Sequence, residues 1–312
     1  METKASFPSV SVVTITYGHD EYIEDCLKGV LSQRYNGEIE FIISNDHSPD
    51  NTDQIIRDFL KSTVIPENIK IKYLHHTVNR GSSFNFISTL AQAQGEYVAL
   101  CDGDDFWIDP CKLQKQIDFL EKNPDYKLIF TNVDTIYEDD LENKVSILTP
   151  IVENRQYLGE EFLRTWIAHT STFVYRNDDH AKAYGQFYNA HNFLYGDTPL
   201  LIYILQSGKA FGLTDYTSCY RRHIGGAISK SSVQNTLRYI EYLNSFNRAF
   251  NKPIYTKIHH HLISVSYFGL FRNNNIKGTN RLEYLFKCIY YDPFLIFKII
   301  REKLSNFLKR IQ

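Results

Sequence analysis

Three carboxylates lie within four residues directly after an apolar segment. The stretch CDGDDFW contains Asp102, Asp104 and Asp105, and residues 96–101 before them read EYVALC. A short apolar run after a glycine predicts a buried strand, so the carboxylates should lie at its C-terminal end. Because like charges at this spacing repel, we expect a divalent cation, a basic side chain or bulk water beside them. A solvated acidic turn that caps the next helix is the structural alternative.

Polar residues also follow the other strands expected in the N-terminal half. Apolar runs alternate with segments of helical periodicity, and the runs lie at 10–16, 39–44, 69–74 and 97–101. Repeated strand–helix units imply a parallel sheet flanked by helices. Ligands of such sheets bind outside the carboxyl ends of the strands. This rule places several polar segments along one edge, namely Thr16-Tyr17, Asn45-Asp46, the NRG loop at 79–81 and DGDD.

The C-terminal half is less regular. Residues 170–176 (TSTFVYR) alternate like a strand, and YGDTPLLIYILQSGK predicts a loop followed by a buried helix. From residue 231 the pattern is mainly helical. The last segment, 292–312, places apolar residues on one helical stripe with basic residues at its borders. Such a helix suits the headgroup region of an anionic membrane, and packing against the protein or a partner is the alternative.

Composition excludes some classes of protein. The 312 residues are 22% charged and 43% hydrophobic with a formal net charge of -2, which is typical of a globular protein and disfavours nucleic-acid binding. The five cysteines are scattered without a CxxC pair, which argues against a disulfide framework and a zinc site. We find neither a signal peptide nor an apolar run of roughly 18 residues. These features predict a cytosolic protein whose membrane contact, if any, is peripheral.

Several of these segments together resemble a known enzyme family. VVTITYGHDEYIEDCLKGVLSQRYNGEIEFIISNDHSPDNT, then NRGSSFN, then GEYVALCDGDDFWIDPCKLQKQIDFLEKNP are similar to the inverting nucleotide-sugar glycosyltransferases of family two. The resemblance is strong over residues 8–135 and weaker to about 229. It implies an α/β GT-A fold, a Rossmann-like and mostly parallel sheet flanked by helices. The expected domains are 1–230, with a nucleotide-sugar half (8–135) and an acceptor half (136–230), and a helical region at 231–312.

By this resemblance DGDD is the DXD motif, which binds a metal and the nucleotide. The resemblance implies that Asp102 and Gly103 contact the nucleotide-sugar and that Asp104 and Asp105 face the metal. A hard cation, Mn²⁺ or Mg²⁺, can bridge carboxylate and phosphate oxygens and stabilise a departing diphosphate. Asp104 is thereby expected to serve both the metal and the donor.

The resemblance also assigns nucleotide contacts to the other polar segments. Thr16, Tyr17 and Asp46 match base-binding positions, and a carboxylate that accepts a uracil N–H favours a UDP-sugar. Arg80 and Asn85 match a loop near the nucleotide. Four positions depart from the family pattern: Ile15 replaces a proline, Gly18 an asparagine, Asn45 an aspartate and Gly196 a glutamate. An Asx turn at 45–48 and a helix cap at Ser82-Ser83 are the structural alternatives.

Two segments of the C-terminal half complete the implied site. YGDTPL matches the segment that carries the catalytic base, so Asp197 is the expected base, although it could also cap the helix that follows. In CYRRHIGGAIS, Arg221 matches a diphosphate contact and His223 a metal ligand, and Gly225-Gly226 would let the loop close over the donor. A purely structural histidine is the alternative for His223.

The expected function is therefore metal-dependent inverting transfer of a sugar to a glycan or lipid-linked acceptor. The resemblance implies surface polysaccharide biosynthesis, and the absence of a signal together with the amphipathic segment 292–312 predicts that the reaction takes place at the inner face of the membrane. A nucleotidyltransferase is the first alternative, but TYGHDEY lacks the glycine-rich basic loop that would hold a triphosphate. A non-catalytic nucleotide-sugar-binding scaffold is the second, and the presence of both DGDD and Asp197 argues against it.

Overall fold

The computed structural model describes residues 7–138, 148–191, 193–223, 232–273, 279–299 and 301. The chain divides into two compact units, Met1–Ala190 with Tyr195–Gly226 and His191–Leu194 with Ala227–Gln312. The expected boundary at 230/231 lies outside the described residues. His191, Phe193 and Leu194, which we expected in the first unit, group with the second.

The first unit is built on one sheet. Its strands are β1 (Val10–Thr16), β2 (Ile39–Asn45), β3 (Ile69–His75), β4 (Tyr97–Leu100), β5 (Phe106–Trp107), β6 (Tyr126–Tyr137), β7 (Arg155–Tyr157), β8 (Val174–Arg176) and β9 (Lys209–Arg222). Their order is β3-β2-β1-β4-β8-β6-β9-β5, and β7 pairs with β9. Strands β1 to β4 are parallel to one another, whereas short β8 runs antiparallel to its neighbours β4 and β6. The expected α/β class with a mostly parallel sheet is confirmed.

Helices cover the sheet because both faces of its central strands are apolar. In the first unit they are α1 (Ile23–Leu31), α2 (Thr52–Ser62), α3 (Ser82–Leu90), α4 (Lys112–Lys122), α5 (Gly159–Arg164), α6 (Asp179–Lys182), α7 (Tyr184–His191) and α8 (Asp197–Ile204). Helix α1 shows the pattern that drives this packing. Its buried residues Ile23, Cys26, Leu27 and Val30 recur at the spacing of one helical face.

The alternation at 170–176 predicted a strand, and this prediction was only half right. Residues Thr170–Thr172 form a 3₁₀ turn, and β8 begins at Val174. The Thr172 hydroxyl donates to the His169 carbonyl at 2.7 Å. Serine and threonine side chains that bond nearby backbone groups compete with strand pairing, which explains the late start of the strand.

The second unit is helical, as expected. It contains α9 (Val233–Phe250), α10 (Pro253–Arg272) and α11 (Thr279–Tyr291), and residues 293–299 are also helical. Of the predicted amphipathic segment 292–312, residue 300 and residues 302–312 lie outside the described part of the chain. Among the described helices, none combines the length and apolar character that crossing a bilayer requires.

Candidate active site

The register of the sheet brings the polar segments to one edge. Thr16 is the partner of Asn45, and the backbone N–H of Asp46 donates to the Thr16 carbonyl at 3.0 Å. The chain leaves β4 beside β1, where the N–H of Gly103 donates to the Ile15 carbonyl at 2.9 Å. The ends of β1, β2 and β4 thus meet at the place where the strand rule located a ligand site.

Gly103 lets the DGDD loop lie directly on the end of β1. A Cβ atom at this position would come within 2.7 Å of the Thr16 Oγ1 atom and 3.1 Å of the His19 Nδ1 atom. Both distances are shorter than ordinary packing contacts, and one is far shorter. Any side chain here would push the loop away from the strand, so this glycine fixes where the neighbouring carboxylates lie.

Asp104 lies between two histidines. Its Oδ2 atom is 3.2 Å from the Nε2 atom of His223 and 3.8 Å from the Nε2 atom of His19. One potential ligand atom from each residue lies within 4.8 Å of the others. Burial by itself would raise the pKa of Asp104, but the two imidazoles outweigh it and hold this pKa at about 2. Asp104 is therefore ionised at neutral pH.

This group of donors fits a divalent cation, because one carboxylate and two imidazoles are ordinary ligands of such ions. The structure thus brings together two of the residues that we expected at the metal, Asp104 and His223. His19 was missed, because it lies in the turn after β1, where the sequence suggested only base contacts. The glycines at 225–226, which would allow loop closure, lie outside the described residues.

Asp102 differs from Asp104 in its electrostatic environment. Burial, together with the charges of Asp104 and Asp197, raises the pKa of Asp102 to about 8. Two carboxyl groups separated by one glycine thus have opposite protonation states at pH 7 in the free protein. Asp102 can donate a hydrogen bond, whereas Asp104 can only accept one.

Asp105 corrects one of our expectations, because its carboxylate faces the protein interior. Its Oδ1 atom accepts from the backbone N–H of Arg221 at 3.0 Å, and its Oδ2 atom lies 3.5 Å from the Nδ1 atom of His169. Burial and the neighbouring charges of Asp104 and Asp102 raise its pKa well above the usual range. The structure therefore does not bring Asp105 into the group around Asp104. Asp105 fastens the loop to β9.

Arg221 was expected at the diphosphate, and the structure gives its charge other partners. Its guanidinium donates to the Asp104 carbonyl at 3.0 Å and to the Asp25 carboxylate at 2.8 Å, and it also bonds Glu138. The side chain is only 6% exposed. With two carboxylates bound, this arginine neutralises the protein's own charges and supports the loop, rather than presenting a free cation.

The loop after β3 is tied to Asp46. The Asp46 carboxylate accepts the backbone N–H groups of Arg80 and Gly81, each at 2.8 Å. The backbone φ angle of Gly81 is +89°, a positive value that favours glycine. The side chain of Arg80 is exposed and lies over the ring of Phe84 at 4.4 Å. Asp46 is thus held as a fixed acceptor at the sheet edge, and Arg80 remains accessible.

Asn85 corrects a second expectation, since its side chain is buried and bonded to β2. The Ser44 hydroxyl donates to the Asn85 Oδ1 atom at 2.6 Å, and the Asn85 amide donates to the Ser44 carbonyl at 3.0 Å. Asn85 therefore fastens α3 to β2 instead of pointing at a ligand. Of the two residues at the end of β1, Thr16 is buried and Tyr17 is 46% exposed, so Tyr17 is the one whose side chain is open to a ligand.

Asp197 is the first residue of α8. Its Oδ1 atom accepts the N–H of Thr198 at 2.7 Å, while the N-cap position is Gly196. Burial raises its pKa despite this bond. Because its charge also raises the pKa of Asp102, the two carboxyl groups share one environment. The carboxylate expected to act as base thus lies near the DGDD loop.

Comparisons with solved structures identify the fold. A crystal structure of S. aureus TarS in complex with UDP-GlcNAc has a TM-score of 0.63 at 17% identity, over 91% of this chain and 79% of that one. The mannosyltransferase PcManGT of Pyrobaculum calidifontis, in complex with GDP-Man and Mn²⁺, has a TM-score of 0.54 at 15% identity, over 96% and 86% of the two chains. The expected GT-A fold is confirmed.

Sequence comparisons identify the family. An uncharacterised protein of Mycobacterium tuberculosis is 33% identical over 217 residues, which are 70% of this chain and 60% of that protein. The putative teichuronic acid biosynthesis glycosyltransferase TuaG of Bacillus subtilis is 30% identical over 52% of this chain and 71% of its own length. The sequence model for glycosyl transferase family 2 matches residues 11–183, more than half of the chain. The chain therefore belongs to glycosyl transferase family 2.

Proposed function

We propose that this protein is a metal-dependent inverting glycosyltransferase that moves a sugar from a UDP-sugar to a glycan or lipid-linked acceptor in surface polysaccharide biosynthesis. The observation that carries the proposal is the ionised Asp104 between two imidazoles at the ligand edge of the sheet, with Asp197 close by. A scaffold that only binds a nucleotide-sugar would have no need of a partly buried carboxylate with a raised pKa at this place.

The donor half of the site suits a nucleoside diphosphate. A divalent cation held by Asp104 and His223 would neutralise the diphosphate and stabilise it as the leaving group. Asp102, two residues before Asp104, is protonated in the free protein. It can form a hydrogen bond with the ribose of the donor. Asp46 is 2% exposed and accepts two backbone N–H groups, and its remaining lone pairs can accept a pyrimidine N–H. The complexes of TarS with UDP-GlcNAc and of PcManGT with GDP-Man and Mn²⁺ support a nucleotide-sugar donor.

In the transfer step, Asp197 takes the proton of an acceptor hydroxyl. The acceptor oxygen attacks the anomeric carbon from the face opposite the diphosphate. The bond between that carbon and the diphosphate oxygen breaks, and its electron pair stays on the diphosphate. The sugar is transferred with inversion, the diphosphate leaves, and the proton remains on Asp197. A raised pKa makes this carboxylate a stronger base at the pH where the reaction runs.

The acceptor class rests on the relatives and on the second unit. TuaG is named for teichuronic acid biosynthesis, and a poly-beta-1,6-N-acetyl-D-glucosamine synthase of Staphylococcus epidermidis is 35% identical over 142 residues. In the second unit, four aromatic residues that we term the exposed aromatic band are between 69% and 80% exposed: Phe286, Tyr290, Phe294 and Phe297. Phe286 and Tyr290 lie on α11, and Phe294 and Phe297 lie on the helical segment 293–299. Exposed aromatic residues on these two helical segments support contact with a membrane that carries a lipid-linked acceptor.

Thermal unfolding tests the proposal directly. The purified protein would be heated with UDP, GDP or CDP, in the presence of Mn²⁺, Mg²⁺ or a chelator. A ligand present at a hundredfold excess over its Kd adds about 2.7 kcal/mol to the free energy of unfolding, so a bound nucleotide gives a clear shift in Tm. We expect UDP to protect only with metal, and Asp104→Ala to abolish the protection. Asp58→Ala, an exposed carboxylate on α2, is the matched control.

A folded wild-type protein that no nucleotide protects would refute the transferase proposal. If UDP protects, release of UDP from UDP-sugars, with and without oligosaccharide acceptors, would then identify the sugar.

A further inference from the structure

His19 lies within reach of the same carboxylate oxygen as His223. Its Nε2 atom is 3.8 Å from the Asp104 Oδ2 atom, and the three potential ligand atoms are all within 4.8 Å of one another. Ligands about 2.1 Å from one ion are separated by about 3.0–3.4 Å in octahedral or tetrahedral arrangements. The 3.2 Å separation at His223 already falls in that range. The Nε2 atom of His19, at 3.8 Å from the same oxygen, lies about 0.4 Å beyond the upper end of that range.

The orientation of the His19 ring is fixed by its other nitrogen. The Nδ1 atom lies 3.1 Å from the hydroxyl oxygen of Thr16, a residue that is only 2% exposed. When that hydroxyl accepts the Nδ1–H, the lone pair of the neutral ring is on Nε2, on the side of Asp104. Histidine ligands of metals commonly use such an outer hydrogen bond to set tautomer and direction. The missing side chain of Gly103 leaves room for this pair.

The donor set also has a consequence for the choice of metal. Mg²⁺ binds oxygen ligands almost exclusively and gives up its water reluctantly. Divalent transition metals accept imidazole nitrogen more readily than Mg²⁺ does, and within that series the affinity rises from Mn²⁺ toward Cu²⁺. A site with one oxygen and two nitrogen donors should therefore discriminate strongly against Mg²⁺. A site with one imidazole and several carboxylates should discriminate against Mg²⁺ less.

We propose that His19 is a third protein ligand of the cation, beside Asp104 and His223, and that it makes the site selective for Mn²⁺ over Mg²⁺. This inference rests on the metal-dependent function proposed above. It goes further by assigning a ligand in the turn between β1 and α1 and a metal preference that follows from it.

Pulsed EPR of the nucleotide-free protein loaded with Mn²⁺ tests the assignment without any activity measurement. We expect nitrogen hyperfine couplings from two imidazoles in the wild type and from one in His19→Ala. Calorimetric titration should show that His19→Ala weakens Mn²⁺ binding at least about tenfold. The ratio of the affinities for Mn²⁺ and Mg²⁺ should also become smaller in this variant. Thr16→Val should weaken Mn²⁺ binding by a smaller factor. His261→Ala, an exposed histidine of the second unit, should change neither quantity.

The outcomes separate this inference from the function on which it rests. A wild-type spectrum with one imidazole nitrogen would overturn the role of His19 even if the variant fails to fold. Equal affinities of wild type and His19→Ala for Mn²⁺ would do the same. If the wild type binds UDP but no metal, the ligand assignment fails and nucleotide binding stands. If it binds neither metal nor nucleotide, the proposed function itself fails.

Discussion

Lys112 is a charged residue buried in the fold, and it predicts an unusual dependence of stability on pH. The side chain is fully buried. Its Nζ atom donates to the Gln116 Oε1 atom at 2.6 Å and to the Thr172 carbonyl at 3.4 Å, and it lies 4.6 Å from the ring centre of Trp107. Burial lowers the pKa of Lys112 from 10.5 to about 7.

The sign of the effect follows from proton linkage. Between pH 7 and 10.5 the unfolded chain keeps the proton of Lys112, whereas the folded protein has released it. Because the unfolded state binds more protons in this window, the free energy of unfolding rises with pH there. The slope from this one group is about 1.4 kcal/mol per pH unit, and the full window corresponds to about 5 kcal/mol as an upper bound.

The assay is urea unfolding of wild type and Lys112→Met at pH 6.5, 7.5, 8.5 and 9. Methionine keeps an unbranched chain and removes the titration, so the difference between the two proteins cancels the cysteines and tyrosines that titrate in both. We expect the wild type to gain about 2.5 kcal/mol relative to Lys112→Met from pH 6.5 to 9. Lys115→Met is the control on the same helix. Lys115 is half-exposed and paired with Asp109 and Asp215, and these hydrogen bonds raise its pKa.

Lys115 stays charged across the window, so its replacement should shift stability by the same amount at every pH. A Lys112→Met difference that is equally flat would refute the reasoning, because it would mean that the buried amine keeps its proton on folding.

Two further predictions concern activity and location. Asp197→Asn should lower kcat about 10²–10⁴-fold, while the protection by UDP against thermal unfolding persists. The kcat of the wild type should fall as the pH drops through the raised pKa of Asp197. An unchanged kcat of Asp197→Asn in transfer assays would exclude the base role. The double variant Phe286→Ser/Phe294→Ser should weaken binding to anionic vesicles, measured by co-flotation, by about 1.5–3 kcal/mol per residue. A wild type that floats no better with anionic than with neutral vesicles would contradict membrane contact.

The sequence predicted the architecture well because the relevant signals are local. Apolar runs of strand length alternate with helical patterns, and β1, β2 and β4 follow such runs almost to the residue. Once those strands are parallel, the positions of Thr16, Asp46 and Asp104 at one edge follow from geometry. The placement of the candidate site therefore needed no information about side-chain direction.

The errors occurred where side-chain direction matters. Arg221 bonds Asp25, 196 residues away in the chain, and Glu138, 83 residues away. No local pattern reveals such partners, so a motif that predicts a basic residue near a diphosphate cannot tell a free guanidinium from a paired one. Asn85 shows the same limit, because its bonds to Ser44 exist only after α3 has packed on β2.

The question raised by three adjacent carboxylates has a physical answer in their unequal surroundings. Asp105 is turned inward against the Arg221 backbone, Asp102 has a pKa of about 8, and Asp104 alone is held ionised, at a pKa of about 2. The free loop thus exposes one negative charge to the ligand edge, and repulsion among the three is largely avoided. A cation beside Asp104 would also lower the pKa of Asp102, so metal binding would convert a hydrogen-bond donor into an acceptor. The ribose hydroxyls of a nucleoside diphosphate sugar could then donate to the Asp102 carboxylate. These electrostatics therefore favour binding of the metal before the nucleotide-sugar.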